Sequence, residues 1–312
     1  MMEEDIDDAR ERPGMDETVQ SAGDAYGAES PGVAGTSGEP HPGRPFGVGI
    51  DVGGTGVKAA VVDLETGTLV SARVREKTPS PSTPDAVSQA VARIIGRIEE
   101  SGHRTAQMPT GAGLPGVAKD GWLKTAANID RSWLDVRAQD VLERHLQRPV
   151  LIINDADAAG LAEMRYGAGT GQHGVVLMLT IGTGIGSALF VDDRLVPNTE
   201  LGHLEYHRRD AETLVSGAAR ERRKLGWKAW AKEFDGYLDH VYRYFSPDLV
   251  ILGGGVSKET GRYLQYLTPR GPLKVARLLN SAGIVGAALA AAEAGGYRPP
   301  VSAGAGEMVA EG

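Results

Sequence analysis

Asp51-Val52-Gly53-Gly54-Thr55-Gly56-Val57-Lys58 stands between two short apolar runs, Phe46 to Ile50 and Ala59 to Val62. A strand, a glycine-rich turn and a second strand read as a hairpin whose backbone N–H groups can approach an anion closely. Asp51, at the end of the first strand, offers a carboxylate where a phosphate-bound Mg²⁺ would sit. Ordinary hairpins also use glycine, so this turn gains its meaning from company. A second turn, Thr180-Ile181-Gly182-Thr183-Gly184-Ile185-Gly186, follows the run Val175 to Leu179, and a third, Gly253-Gly254-Gly255, follows Leu249 to Leu252. Three strand-then-glycine turns in one chain point to phosphate handling.

Outward from these turns, 312 residues are enough for a substantial core in two lobes of one fold. The sequence has no cysteine, which excludes disulfides and thiolate metal sites and fits a reducing cytoplasm. No apolar run reaches the roughly 18 residues of a membrane span, and the start lacks a basic-then-apolar leader. The expectation is a soluble, cytoplasmic protein without a membrane partner. Residues 1–45 hold 11 acids and 3 bases, so their net charge of −8 equals that of the whole chain. The remainder balances at 30 acids and 30 bases, and no recognition motif accompanies it, so nucleic acid is not expected as a partner. The acidic stretch is rich in Gly, Pro and Ser, with Tyr26 its one aromatic residue. Such a composition cannot bury enough apolar surface to offset its ordering entropy and reads as a disordered tail.

Between the ends, strands and helices alternate. Apolar residues at Ala86, Val87, Ala90, Val91, Ile94, Ile95 and Ile98 give Pro84 to Glu100 a helical period. Gln107 to Leu114 and Pro149 to Ile153 read as strands; Arg137 to Leu146, about Ala156 to Tyr166, Trp227 to Tyr244 and the Ala-rich Ser281 to Ala294 read as helices. This predicts an α/β protein with helix-covered sheets. The expected parts are an N-terminal lobe at 46–150, completed by the helix at about 281–296, a C-terminal lobe at 151–280, and a loose tail at 297–312.

Three polar groups can carry chemistry. Asn154-Asp155 ends an apolar strand and precedes a helix, the edge where ligands collect in α/β sheets. Asp155 is either an N-cap or a general base that accepts a hydroxyl proton during phosphoryl transfer; beside three phosphate-type turns the second reading prevails. Glu200-Leu201-Gly202-His203 with Glu205 forms a dense polar cluster. His203, Glu205 and His207 have a spacing open to metal ligation, but carboxylates and imidazole also suit the hydroxyls of a polyol, and sugar binding is the stronger reading. Arg220 to Lys232 packs six bases and Trp227 and Trp230 into thirteen residues. It is either a solvated helix face over buried tryptophans or a track for a polyanion.

Together the three turns resemble the phosphate-1, phosphate-2 and adenosine motifs of the sugar-kinase/actin/Hsp70 superfamily. The Gly113-Leu114-Pro115-Gly116, Asn154-Asp155-Ala156-Asp157 and Glu200-Leu201-Gly202-His203 segments narrow the resemblance to the family of repressors, open reading frames and kinases, over about residues 46–296. The resemblance implies a two-lobed actin-like ATPase (ribonuclease H-like) fold, each lobe a mixed sheet covered by helices, with the active site in the interlobe cleft. Many members carry a cysteine-rich zinc loop after the Glu-x-Gly-His segment; without cysteine that structural zinc is not expected here. Gly56 stands where most ATP-dependent members have Lys. That departure, the short region after Glu205, and Ser216-Gly217-Ala218-Ala219 before the basic stretch are similar to the branch of the family that uses inorganic polyphosphate, which favours the polyanion track. The resemblance implies a kinase for the 6-hydroxyl of glucose, with polyphosphate and ATP or another nucleoside triphosphate as donors, working as a homodimer. It casts Asp155 as catalytic base, and Asn128, Asn154, Glu200, His203 and Glu212 as sugar ligands alongside it. Asp51 holds Mg²⁺ through water, while Gly53, Gly54, Thr55, Thr180, Gly182, Thr183, Gly184, Gly254 and Gly255 line the donor and Lys58 adds charge near it. The rival expectations are an ATP-only hexose kinase and a non-enzymatic sugar-responsive regulator; residues 1–45 lack the periodicity of the helix-turn-helix such regulators place before the fold.

Overall fold

Alternation of buried side chains along single strands explains how the layers of this protein stack. A computed structural model describes residues 45–298 apart from Ala127. The expected disordered stretch thus lies outside the described residues except for Pro45, and so does most of the expected C-terminal tail. The first sheet begins with the hairpin of β1 (Phe46–Val52) and β2 (Val57–Asp63), followed by β3 (Val74–Glu76). Helix α1 (Pro84–Glu100) matches its sequence reading; Thr83 caps it, accepting from the Ala86 amide, and proline fills its first position. Strand β4 (Thr110–Leu114), the small hairpin of β5 (Ala118–Lys119) and β6 (Trp122–Leu123), α2 (Ala138–Leu146), β7 (Leu151–Asn154) and α3 (Asp155–Tyr166) complete this half. The sheet order is β3-β2-β1-β4-β7.

The second sheet repeats that plan. β8 (Val175–Ile181), β9 (Ile185–Val191) and β10 (Arg194–Val196) form an antiparallel run. The hairpin of β11 (Glu205–Tyr206) and β12 (Arg209–Asp210), then α4 (Glu212–Val215), α5 (Gly217–Arg222) and α6 (Trp227–Phe245), lead to β13 (Leu249–Gly253). Helix α7 (Thr260–Tyr263), β14 (Leu273–Val275) and α8 (Ala282–Ala294) follow. The order β10-β9-β8-β13-β14 places a hairpin beside two parallel strands, as in the first sheet.

In β8, Val176 and Met178 join the core formed with α3 and α8, whereas Leu177 and Leu179 join the core under α6. In β1, Val48, Ile50 and Val52 face the core of α1 and α2. The layers therefore run α1/α2, first sheet, α3/α8, second sheet, α6. The shared middle layer is thin because glycine permits it. A side chain at Gly49 would collide with the Ile284 carbonyl of α8, and one at Gly286 with the Ala158 carbonyl of α3.

Two expectations need correction. The lobe boundary at 150 falls inside the first sheet, since β7 pairs parallel with β4 and is its edge strand. Helix α2 supplies the crossover that such parallel pairing requires, so the sheet runs to Asn154. Tyr297, expected as the start of a loose tail, packs on the middle core, and its hydroxyl donates to the Leu64 carbonyl over 3.1 Å.

Candidate active site

At the end of β7 the chain turns directly into α3, and the turn is made by Asn154. Its side-chain oxygen accepts from the amides of Ala156 and Asp157, both at 2.9 Å, and its Nδ2 donates to the Gly116 carbonyl. Asn154 is therefore the N-cap, buried, with one amide hydrogen left over. Asp155 is the first residue of the helix rather than its cap. It stays half-buried, and its Oδ1 accepts from the Ala156 amide at 2.8 Å. Burial, then the charge of Asp51, then those of Glu200 and Asp157, push its carboxyl up to about 7. Those couplings bring Asp51, Asp155 and Glu200 into one cluster, although they come from three distant segments.

Glu200 rides on a loop tied down from two sides. Ser187 Oγ donates to the Thr199 carbonyl and accepts from the Leu201 amide. Asn198, in left-handed backbone, donates its amide to Asp157 Oδ2 over 2.7 Å, and its side chain pairs with both the N–H and C=O of Ala118. Asp157 is buried and its carboxyl is pushed up to about 7 by burial, opposed by the Asn198 amide. Neither Asn198 nor Asp157 was singled out in the sequence, because only the fold brings 118, 157 and 198 together.

His203 lies beside Glu200, its Nε2 at 3.7 Å from the Glu200 carboxylate. Its Nδ1 donates to Asp210 Oδ2 over 2.9 Å, and that hydrogen bond leads the causes that raise the imidazole pKa, with Glu212 and Glu200 adding to it. Burial raises Glu200, against the charge of His203. Asp210 escaped sequence reading. The turn of its hairpin is His207-Arg208, both with positive φ, a two-residue type that asparagine and glycine usually mark. No group of three or more His, Asp or Glu side chains poised to hold a metal occurs among the described residues. His203, Glu205 and His207 therefore do not converge.

The glycine turns approach the same cluster. Gly53 closes the first with its amide on the Gly56 carbonyl, leaving Gly54 and Thr55 exposed, with Asn128 packed beside Gly54. Lys58, expected to add charge near the donor, is held by Asp51 in an ion pair of 2.7 Å. Asp51 also lies over Gly283 at the start of α8. In the second turn Thr180 is half-buried and Thr183 exposed, and Glu212 accepts from the Ile185 amide with its carboxylate against Gly184. Gly254 has φ 77 and lies against the backbone of Ile181, which joins the third turn to the second. A cavity of about 380 Å³ opens between these two turns, lined by Thr183, Gly217, Arg220, Trp227, Gly255 and Arg262 among others. Trp227 is half-buried and stacks on Tyr263, with the Arg220 guanidinium 4.1 Å and that of Arg262 5.3 Å from its ring centre. Trp230 is fully buried. The basic stretch is thus divided: Arg220 faces the cavity, Arg223 pairs with Glu233, and Arg222 donates to the Thr213 carbonyl.

Residues 47–222 match the model of the ROK family. The chain belongs to the ROK family. It is 44% identical over 245 residues to the polyphosphate glucokinase of Mycobacterium tuberculosis (strain ATCC 25618 / H37Rv), covering 78% of this chain and 90% of that protein. With the polyphosphate glucokinase of Mycobacterium leprae (strain TN) it shares 42% identity over 248 residues, 79% of this chain and 75% of that one. Among solved structures, the inorganic polyphosphate/ATP-glucomannokinase from Arthrobacter sp. strain KM superposes with a TM-score of 0.77 at 49% identity, over 80% of this chain and 99% of that one. A ROK family glucokinase from Streptomyces griseus, solved with glucose and AMPPNP, gives a TM-score of 0.66 at 26% identity, over 78% and 98%. The two-lobed fold of these ROK sugar kinases is that of the present chain. No helix among the described residues is long and apolar enough to cross a membrane.

Proposed function

We propose that this protein transfers a phosphoryl group to the 6-hydroxyl of glucose, with inorganic polyphosphate and ATP as donors. The observation that carries the reading is Asp155, a half-buried carboxyl raised to about 7 by burial and by Asp51, at the head of α3 between the glycine turns and the Glu200 loop. A base with that pKa is poised to accept a hydroxyl proton near neutral pH. In this reading Glu200, His203, Glu212, Asn128 and the spare amide hydrogen of Asn154 orient the sugar. The amides of the first two glycine turns cradle the donor phosphates, and Gly254 and Gly255 with Trp227 border its distal part. The attacking oxygen lines up with the phosphoryl group as Asp155 takes its proton, and lobe closure excludes water.

Lys58 pairs with Asp51 through Oδ2, so Asp51 would hold Mg²⁺ through its other carboxylate oxygen. Magnesium in phosphoryl-transfer sites is held by one or two carboxylates plus substrate phosphates rather than by a protein cage. Bound there, it supplies neutralisation of charge on the transferring group. The likeness to polyphosphate glucokinases and to the Arthrobacter glucomannokinase supports polyphosphate as donor, and the cationic wall of Arg220 and Arg262 suits a polyanion. The test is purified protein with glucose and Mg²⁺, given ATP and polyphosphate separately. Glucose 6-phosphate from both is expected. Activity with ATP alone makes it an ATP-only hexose kinase, and none with either makes it a sugar-binding regulator. Family likeness also supports a homodimer, which sedimentation velocity would test.

A further inference from the structure

The first glycine turn has a cation that no local motif announces. β3 adds antiparallel to β2 with Lys58 opposite Arg75, and β2 pairs with β1 so that Asp51 stands opposite Lys58. Directly opposed residues share a sheet face, so Asp51, Lys58 and Arg75 form a row across three strands. The first two neutralise each other in their 2.7 Å pair. Arg75 has no carboxylate partner among the described residues, because the neighbouring Glu76 is taken by Arg93 and Arg97. Its guanidinium instead lies along the turn and donates to the Thr55 carbonyl over 3.2 Å. Gly56 makes that position possible: a Cβ there would stand 2.7 Å from Arg75 Nε and 2.8 Å from its second terminal nitrogen. Beside it, the amides of Gly54 and Thr55 carry no hydrogen bond among the described residues.

We infer that Arg75 and the free amides of Gly54 and Thr55 grip the reacting oligophosphate end of the donor, with Gly56 kept small so that the guanidinium can lie there. A guanidinium offers several donors in a plane, which matches phosphate oxygens, and the turn supplies backbone N–H groups at close range. This rests on the function proposed above. The chemistry is common to the polyphosphate terminus and the triphosphate of ATP, so the two donors are tested side by side.

Arg75→Ala is expected to raise KM about tenfold for the donor that uses the grip, the scale of one lost charge-assisted hydrogen bond. KM for glucose stays within about twofold, since a charge acting on the donor alone leaves sugar affinity in place. Equal losses with both donors place Arg75 on the shared triphosphate end; a loss with one alone identifies that donor as the ligand. Gly56→Ala is the second variant. Its backbone φ is not in the left-handed region, and the methyl meets only the far end of a flexible side chain, so the protein folds while the guanidinium is displaced. It should reproduce the donor defect, and Arg75→Ala/Gly56→Ala should be no worse than Arg75→Ala alone. The salt dependence of KM for tripolyphosphate should flatten in both variants, a change that loss of a merely structural hydrogen bond to Thr55 would not cause. Unchanged donor KM values in folded Arg75→Ala with normal wild-type turnover overturn the inference. Wild-type protein inactive with both donors overturns the function instead.

Discussion

At the scale of single residues, the carboxyl of Asp155 ties activity to a cost in stability. Asp155→Asn keeps the shape but cannot take a proton, so turnover is expected to fall on the order of a hundredfold or more while glucose binding weakens far less. Initial-rate kinetics and calorimetric titration with glucose check both, and near-normal turnover would remove Asp155 from the mechanism. His203 gives a second expectation. With Nδ1–H committed to Asp210, the neutral ring presents Nε2 as an acceptor toward the sugar, and protonation abolishes that acceptor. Asp210→Asn retains an acceptor oxygen but loses the charge, so the imidazole pKa should drop. The weakening of glucose binding on acidification should then move to lower pH. An NMR titration of the His203 ring would show this, and an unmoved titration would mean that Asp210 does not set its state.

Among elements, the loop from Pro197 to Glu200 is the most dependent on distant support. Asn198 joins it to α3 through Asp157 and to β5 through Ala118. Asn198→Ala removes the β5 tether and leaves a strained backbone without its asparagine, which tolerates positive φ better than alanine. Expected are a rise in KM for glucose of about tenfold, near the worth of two hydrogen bonds, and a smaller change in KM for the donor. Equal rises in both would show that the loop does not act on the sugar side alone. Elements of this kind explain where sequence reading stopped. The helices were legible because their apolar period is local. The pairing of 118 with 198, and the hairpin that carries Asp210, depend on backbone geometry that no residue pattern marks.

Over the whole molecule, the raised carboxyls make stability depend on pH in a defined sense. Asp155 and Asp157 are raised to about 7 in the folded state from the ordinary aspartate value of 3.8, so the folded state keeps protons that the unfolded chain gives up. Their contribution to stability is full below about 3.8 and is lost as pH rises through about 7. Asp155→Asn, which does not titrate, should therefore raise the melting temperature relative to wild type by an amount that grows from about pH 4 to pH 8. Glu99, held low by the Thr105 hydroxyl and Arg148, acts in the opposite sense and weakens the fold on acidification. The difference between variant and wild type isolates the site from it. A gap that stays constant with pH would mean that Asp155 is ionised throughout.

The sequence alone determined the alternating α/β plan, the three glycine turns and the strand-to-helix junction that presents Asp155. Each of these is written in neighbouring residues: apolar periodicity, glycine after a strand, and Asn154-Asp155 between an apolar strand and a helix. Only the tertiary structure decided that β7 belongs to the first sheet, that Asn154 caps rather than stands free, and that Lys58 is neutralised by Asp51. It alone set Arg75 on the first turn and Asp210 behind His203. Those outcomes depend on strand register and on close approach of segments far apart in the chain, and the energy of such contacts resides in geometry that composition and spacing do not encode.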